Sequence, residues 1–336
     1  MCGIFGFAKT NGRQSDNQMR ILKNVLTELA DQSSIRGTDS TGFSIVDTDD
    51  RYTYKTLMDS STLVRTNTFY DNVLSRITRD TTIVIGHVRL ATHGTVKVTN
   101  AHPFTVGNVV GAHNGVIYNY NKVATAMGKK VPEVDSQVLF QSLNANKMNK
   151  AFEKIDGDFA LTWIKDSNRK IHLARESGRP MVVAYWKKAR ILFWASTRQI
   201  LEDAMLNAGL VLSIQNVPED YIYTYDVDEF THKPNREQVP FDTISQVEVR
   251  DKYNYATYGY GGWGGHHYNP SPASNNLLLE TCDKAKAMCS YCYRWVDEDE
   301  LWQDSHGNNL CYNCELFEEL SDVPNIDTGD EDETLF

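Results

Sequence analysis

The chain has 336 residues, 41% hydrophobic and 23% charged, with six cysteines and a net charge of −10. That length suits one large soluble domain or two smaller ones, each able to bury a core. No stretch approaches the roughly 18 to 20 consecutive apolar residues of a membrane span, and the N-terminus lacks the basic flank and apolar run of a secretion signal, so the expectation is a cytoplasmic protein that meets no membrane. Nine acidic residues and no Lys or Arg fall between Glu315 and Phe336, so the acidity is a tail on a nearly neutral body. A neutral body gives no electrostatic case for nucleic acid. The tail reads as a solubilising disordered end, with a docking segment as the sharper alternative.

The chain opens Met1-Cys2-Gly3-Ile4-Phe5-Gly6-Phe7, an apolar strand. Removal of the initiator Met would leave Cys2 with a thiol and a free α-amino group. These groups ordinarily titrate at about 8.5 and about 7.7 to 8, so each can pass a proton to the other near neutrality. On the dipeptide alone the plainer reading, a small buried hydrophobe heading a strand, is the stronger one. A polar turn then leads to Asp16 as a helix N-cap, and Leu22, Val25, Leu26 and Leu29 recur at helical spacing over 17–31. The loop Arg36-Gly37-Thr38-Asp39-Ser40-Thr41-Gly42 precedes a short strand, Phe43 to Val46.

Residues 82–89 read as a buried strand ending at Arg89-Leu90-Ala91-Thr92-His93-Gly94, and Asn100-Ala101-His102-Pro103 follows. Residues 108–112 read as another strand and deliver His113-Asn114-Gly115 to its end. Three polar clusters at the ends of apolar strands are the pattern of an active site on a rigid scaffold. A thiolate attacking an amide creates an oxyanion, and the Asn114 side-chain amide with the Gly115 N–H can supply two neutral donors. Arg89 offers the forked geometry that a carboxylate prefers, and Asp135 offers an anion for an α-ammonium, serves as a helix N-cap, or does both.

Farther along, Asn146 to Ile155 reads as a helix and 159–164, 170–174, 181–185 and 191–195 as strands. Ser196 or Thr197 caps a helix to Leu206, and His172 reads as a satisfied core or edge histidine. Arg175 and Arg179 flank Gly178 and take no catalytic role. Tyr221 to Tyr225 supplies the last strand, and the domain closes near residue 250. Residues 251–280 form a Gly/aromatic-rich linker in which His266-His267 is a weak metal candidate. Cys289, Cys292, Cys311 and Cys314 then follow the spacing Cys-x2-Cys-x18-Cys-x2-Cys, that of a zinc ribbon. Four thiolates close the coordination sphere, so the Zn²⁺ expected on this module, residues 281–318, is structural. Cys282 and His306 are left over. The neighbouring Asp297-Glu298-Asp299-Glu300 favours protein docking over nucleic acid, and 319–336 is the acidic tail.

Taken in order, Cys2-Gly3-Ile4-x-Gly6, Arg36-Gly37-x-Asp39-Ser40-x-Gly42, Gly86-His87-x-Arg89-x-Ala91-Thr92-His93-Gly94, Asn100-Ala101-His102-Pro103, His113-Asn114-Gly115, Asp135 and Gly157-Asp158-Phe159-Ala160 resemble the motifs of class II glutamine amidotransferase domains. The likeness is strongest to the glutaminase domain of glucosamine-6-phosphate synthase and spans about residues 2–200. It implies an α+β fold, a four-layer αββα N-terminal-nucleophile hydrolase sandwich over 2–250. It also implies release of ammonia from glutamine through a Cys2 thioester, without an organic cofactor.

The resemblance makes Cys2 the nucleophile with its freed amino group as base, and gives Asn114 and Gly115 the oxyanion. Arg89 takes the substrate carboxylate and Asp135 its ammonium, Thr92 and His93 line the glutamine pocket, and Arg36 supports the loop beside Cys2. Leu90 stands where the synthase-like members carry a Trp, and there resembles asparagine synthetase, which bears on how the site closes. With no second catalytic domain in the sequence, the expectation is a stand-alone glutaminase subunit, of a kind also found in bacteriophages, handing ammonia to an acceptor-activating enzyme on another chain. The alternatives are a catalytically silent glutamine-binding or scaffold protein, and a hydrolase of another amide.

Overall fold

The computed structural model describes residues 2–91, 94–176, 178–219, 221–229 and 234–238, together with the backbone of four short strands between 286 and 311. These fall into two units, one covering the described residues up to 238 and one holding the four late strands.

In the first unit β1 (Gly3–Lys9) leads through α1 (Asp16–Ser33) to the hairpin β2 (Ser40–Asp47) and β3 (Arg51–Thr56). Two short helices, α2 (Ser60–Leu63) and α3 (Asn67–Asn72), precede β4 (Thr81–Arg89), β5 (Phe104–Val106) and β6 (Val109–Ile117). Then come α4 (Tyr120–Ala126), α5 (Asp135–Ala145), α6 (Met148–Phe152), β7 (Gly157–Lys165), β8 (Lys170–Arg175), β9 (Val182–Trp186) and β10 (Ile191–Ala195). The unit ends with α7 (Arg198–Asn207), β11 (Ile214–Asn216), β12 (Tyr221–Asp226) and β13 (Asn235–Gln238). One sheet runs β11-β9-β10-β1-β4-β2-β3 and the other β13-β12-β8-β7-β6-β5.

Period-two alternation assigns the faces of these strands. Phe5 and Phe7 of β1 pack with Leu22, Leu26 and Leu29 of α1 and with Leu201 of α7. Ile4 and Ala8, on the opposite face, join Ile83 and Ile85 of β4 and Val110, Ala112 and Ala160 of the second sheet. The outer face of that sheet, through Phe159, Leu161 and Trp163, packs on Leu139, Phe140 and Leu143 of α5. The layers are therefore α, β, β, α, the α+β sandwich that the resemblance implies.

Several local expectations change. The cap of α1 is Ser15, not Asp16: Ser15 accepts from the Gln18 N–H while the Gln18 side chain returns to the Ser15 N–H, a reciprocal pair that Asp16, inside the first turn, does not make. Thr197 rather than Ser196 caps α7. The helix expected over 146–155 is confined to α6. Tyr221 to Tyr225 is not the last strand of the sheet, because β13 pairs with it antiparallel. His172 is buried on β8 and meets Thr224 Oγ1 at 2.8 Å, as a satisfied core histidine should.

In the second unit, β14 (Lys286–Met288) pairs antiparallel with β15 (Trp295–Asp297), and β16 (Leu301–Gln303) pairs antiparallel with β17 (Asn309–Cys311). Cys282, Cys289, Cys292, Cys314, His266, His267 and His306 lie outside the described residues, as do the linker and the acidic tail, and Cys311 is described only in its backbone.

Candidate active site

Antiparallel pairing brings the polar clusters to one end of the sandwich. Gly3 of β1 lies opposite Val88 of β4, which sets Cys2 beside Arg89 and Leu90. Ser40 of β2 lies opposite Arg89, so the Arg36 to Asp39 loop arrives at the same place. Gly37 permits this: a Cβ there would stand 2.5 Å from the Arg89 carbonyl carbon. Asp39 completes the link, accepting from the Ala91 N–H at 2.7 Å while its own N–H donates to the Arg89 carbonyl at 2.9 Å.

The Cys2 sulfur is held by the backbone of Leu90, whose N–H donates to Sγ at 3.4 Å and whose carbonyl accepts from the thiol at 3.4 Å. Arg36 Nε donates to the Cys2 carbonyl at 2.7 Å. Burial pushes the thiol up from its ordinary value, while the Leu90 contact, the N-terminal ammonium and the Arg89 and Arg36 charges act in the opposite direction without overcoming it. At neutral pH Cys2 is therefore a thiol that needs a base.

Asn114 is buried on the inner face of β6, and its Nδ2 donates to Ser196 Oγ at 3.0 Å. Ser196 Oγ also takes the Ile4 N–H at 2.8 Å and lies 3.2 Å from the Ile4 carbonyl. Thus Asn114, on one sheet, is tied by one hydroxyl to the strand of Cys2 on the other. Gly115 has φ +139°, and a Cβ there would stand 1.9 Å from the Asp158 carbonyl, so only glycine holds this peptide. Asp158 accepts from the Val116 N–H at 3.0 Å and pairs with Arg179 at 2.7 Å.

Arg89 is buried and donates from Nη1 to the Thr95 carbonyl at 3.4 Å. Thr95 is itself fixed by Glu133, which accepts from its N–H at 2.9 Å and its hydroxyl at 2.7 Å. Asp135 is not the cap of α5. Val134 occupies that position, while the Asp135 carboxylate, buried in the first turn, accepts from the Ile117 N–H at 2.7 Å. Asp135 is thereby tied to β6 two residues past the Asn114-Gly115 pair. Thr92 and His93 lie outside the described residues.

Three histidines near these groups are buried, His87 on β4, His102 before β5 and His113 on β6. His87 Nε2 meets the His113 carbonyl at 3.2 Å, and its ring stacks on His102 with centroids 4.2 Å apart. Burial lowers all three, His87 to about 3, so they are neutral imidazoles at physiological pH. A separate groove of about 710 Å³, between β3, β5 and α5, is lined by Lys55, Phe104, Gln137 and Gln141 among others, and by none of the candidate catalytic residues. Among the described residues no cluster of His, Cys, Asp and Glu is placed to hold a metal, and no helix is long and apolar enough to cross a membrane.

Ser196 and the Asp158-Arg179 pair carry no sequence signal that marks them as site residues. A Ser before a helix reads as a cap, and its role here comes from pairing across 192 residues. Only the position of Asp158 in the Gly157-Asp158-Phe159-Ala160 motif signals its neighbourhood.

The fold is that of an N-terminal-nucleophile hydrolase sandwich, with the polar groups gathered at one end. A model of the glutamine amidotransferase domain family matches residues 87–203. The isomerizing glutamine–fructose-6-phosphate aminotransferase of Helicobacter pylori is 27% identical over 217 residues, 60% of this chain and 33% of that one. Its Encephalitozoon cuniculi counterpart is 30% identical over 139 residues, 39% of this chain and 19% of that one. The glutamine phosphoribosylpyrophosphate amidotransferase of Bacillus subtilis, solved with ADP and GMP, superposes with a TM-score of 0.53 at 17% identity, covering 70% of this chain and 49% of that one. Residues 87–203 therefore resemble a glutamine amidotransferase domain, and the fold is shared with a solved amidotransferase. The chain spans about a third or less of the length of the curated relatives it matches.

Proposed function

We propose that this domain hydrolyses the side-chain amide of glutamine and supplies the ammonia to an acceptor enzyme. The observation that carries the reading is the tie from Asn114 through Ser196 to Ile4, two residues from Cys2, across the adjoining sheets. After loss of Met1, the α-amino group of Cys2 takes the thiol proton as sulfur attacks the carboxamide carbon. The oxyanion is met by Asn114 Nδ2–H and the Gly115 N–H. The ammonium proton passes to the leaving nitrogen, ammonia departs, and a thioester on Cys2 remains for water to cleave to glutamate. Arg89 holds the substrate carboxylate, Asp135 its ammonium, and Thr92 and His93 line the pocket.

The acceptor in this reading is a domain or a partner enzyme. Ile35, Leu57, Leu90, Val96 and Val98 are exposed apolar side chains that such a partner could cover. A structural Zn²⁺ on Cys289, Cys292, Cys311 and Cys314 belongs to the same reading. The two antiparallel pairs support it: Cys289 follows β14 directly, Cys292 falls between β14 and β15 in sequence, and Cys311 ends β17. The ion would tie the two pairs together and take no part in turnover.

The test is incubation of the full chain with glutamine, with glutamate and ammonia measured beside Cys2→Ala and the intact mass recorded. Equal glutamate and ammonia, Cys2→Ala silent and a mass lacking Met1 are expected, with one zinc per chain. Absence of turnover in the presence of candidate acceptors, with no Cys2 adduct from a glutamine-like electrophile, would overturn the glutaminase reading.

A further inference from the structure

We propose that Ser196 is a positioning residue for the oxyanion site, its hydroxyl orienting the Asn114 amide against the strand that carries Cys2. The inference rests on the glutaminase reading and adds a residue to it.

A serine hydroxyl has one hydrogen and two lone pairs. Here the Ile4 N–H at 2.8 Å and the Asn114 Nδ2–H at 3.0 Å take the lone pairs, and the hydrogen goes to the Ile4 carbonyl at 3.2 Å. All three capacities are used, and the hydroxyl is buried. The contact also has a clear origin in the fold. The ladder between β1 and β10 ends with Phe5 opposite Ala195, so Ser196 stands where the next backbone pair would lie. Its side chain takes over both ladder bonds of Ile4 and, unlike a backbone partner, leaves a lone pair for the facing sheet.

With the hydroxyl hydrogen committed to Ile4, that lone pair favours the Asn114 nitrogen facing Ser196, and His87 meets the same side chain. An acceptor at this point draws the nitrogen toward it, fixes one N–H, and leaves the second N–H for an anion. With the amide reversed, a carbonyl oxygen would repel the developing oxyanion. Ile4 lies two residues from Cys2, so the same hydroxyl sets the donor relative to the nucleophile, where small displacements matter to rate.

The experiment is a kcat cycle on the full chain with wild type, Ser196→Ala, Asn114→Ala and the double variant. Each is also tested with iodoacetamide, which consumes the Cys2 thiolate without forming an oxyanion. Ser196→Ala is expected to lower kcat roughly ten- to hundredfold, with KM and the alkylation rate within about twofold of wild type. In the Asn114→Ala background it should change kcat no further, because the group it orients is gone. If Ser196→Ala does not fold, Ser196→Cys, which keeps the shape and weakens both hydrogen-bonding roles, is read in the same cycle. Multiplicative losses in the double variant, or an alkylation rate that falls with kcat, would show that Ser196 merely supports β1, and the proposal would be wrong. A wild type without glutaminase activity removes both readings together, whereas an active wild type with multiplicative losses removes only this one.

Discussion

The Cys2 thiol is harder to ionise in this site than in water, because burial outweighs the Leu90 contact and the nearby arginines. A nucleophile so placed keeps its proton until substrate arrives, and in the reading above the α-amino group then removes it. Two pH profiles should consequently separate. Alkylation of Cys2 by iodoacetamide follows the thiolate and should rise with a midpoint above the ordinary value of about 8.5. Turnover of glutamine follows the free amine and should rise at lower pH than the alkylation. Coincident midpoints, or an alkylation midpoint below the ordinary cysteine value, would contradict this division.

At the scale of elements, the end of β6 is held from two sides, by Ser196 toward the first sheet and by Asp158 toward β7. The Asp158-Arg179 pair is partly buried, and Asp158 also accepts from the Val116 N–H beside Gly115. Asp158→Asn keeps that backbone contact but leaves the Arg179 charge uncompensated. We expect a loss of about 2 kcal/mol in urea unfolding, with kcat falling and KM for glutamine holding, since Gly115 is the group displaced. An unchanged urea midpoint would mean that the pair is solvent-screened and inert.

The strand-end clusters of this element are legible in the sequence because each is a short run whose residue types announce their chemistry. Ser196 is not, since its significance depends on the pairing of β10 with β1. The four-layer order is likewise available only through the family likeness: periodicity marks strands and helices but does not say which sheet each strand joins. β3 and β13 escape because strands such as Arg51–Thr56, half-buried along their whole length, carry no clean apolar alternation.

The whole molecule is tuned to neutral pH by histidines that folding keeps uncharged. Burial lowers His87 and His172 to about 3, His102 well below its ordinary value, and His113 as well. A histidine whose folded pKa is depressed contributes stability that is fully present above its unfolded pKa, about 6.5, and is lost as pH falls toward the folded value. His87 and His172, lowered to about 3, each remove about 1.4 kcal/mol per pH unit in that window, and His102 and His113 act in the same direction. Urea midpoints should be steady above about pH 7 and fall steeply between about 6.5 and 5. His172 offers the cleanest check, because it lies on β8 against Trp163 and Thr224, away from Cys2. His172→Gln should reduce the acid slope by about one such increment while leaving KM for glutamine unchanged. An acid slope identical to that of wild type would mean that His172 titrates alike in the folded and unfolded chains, and that the acid sensitivity arises elsewhere.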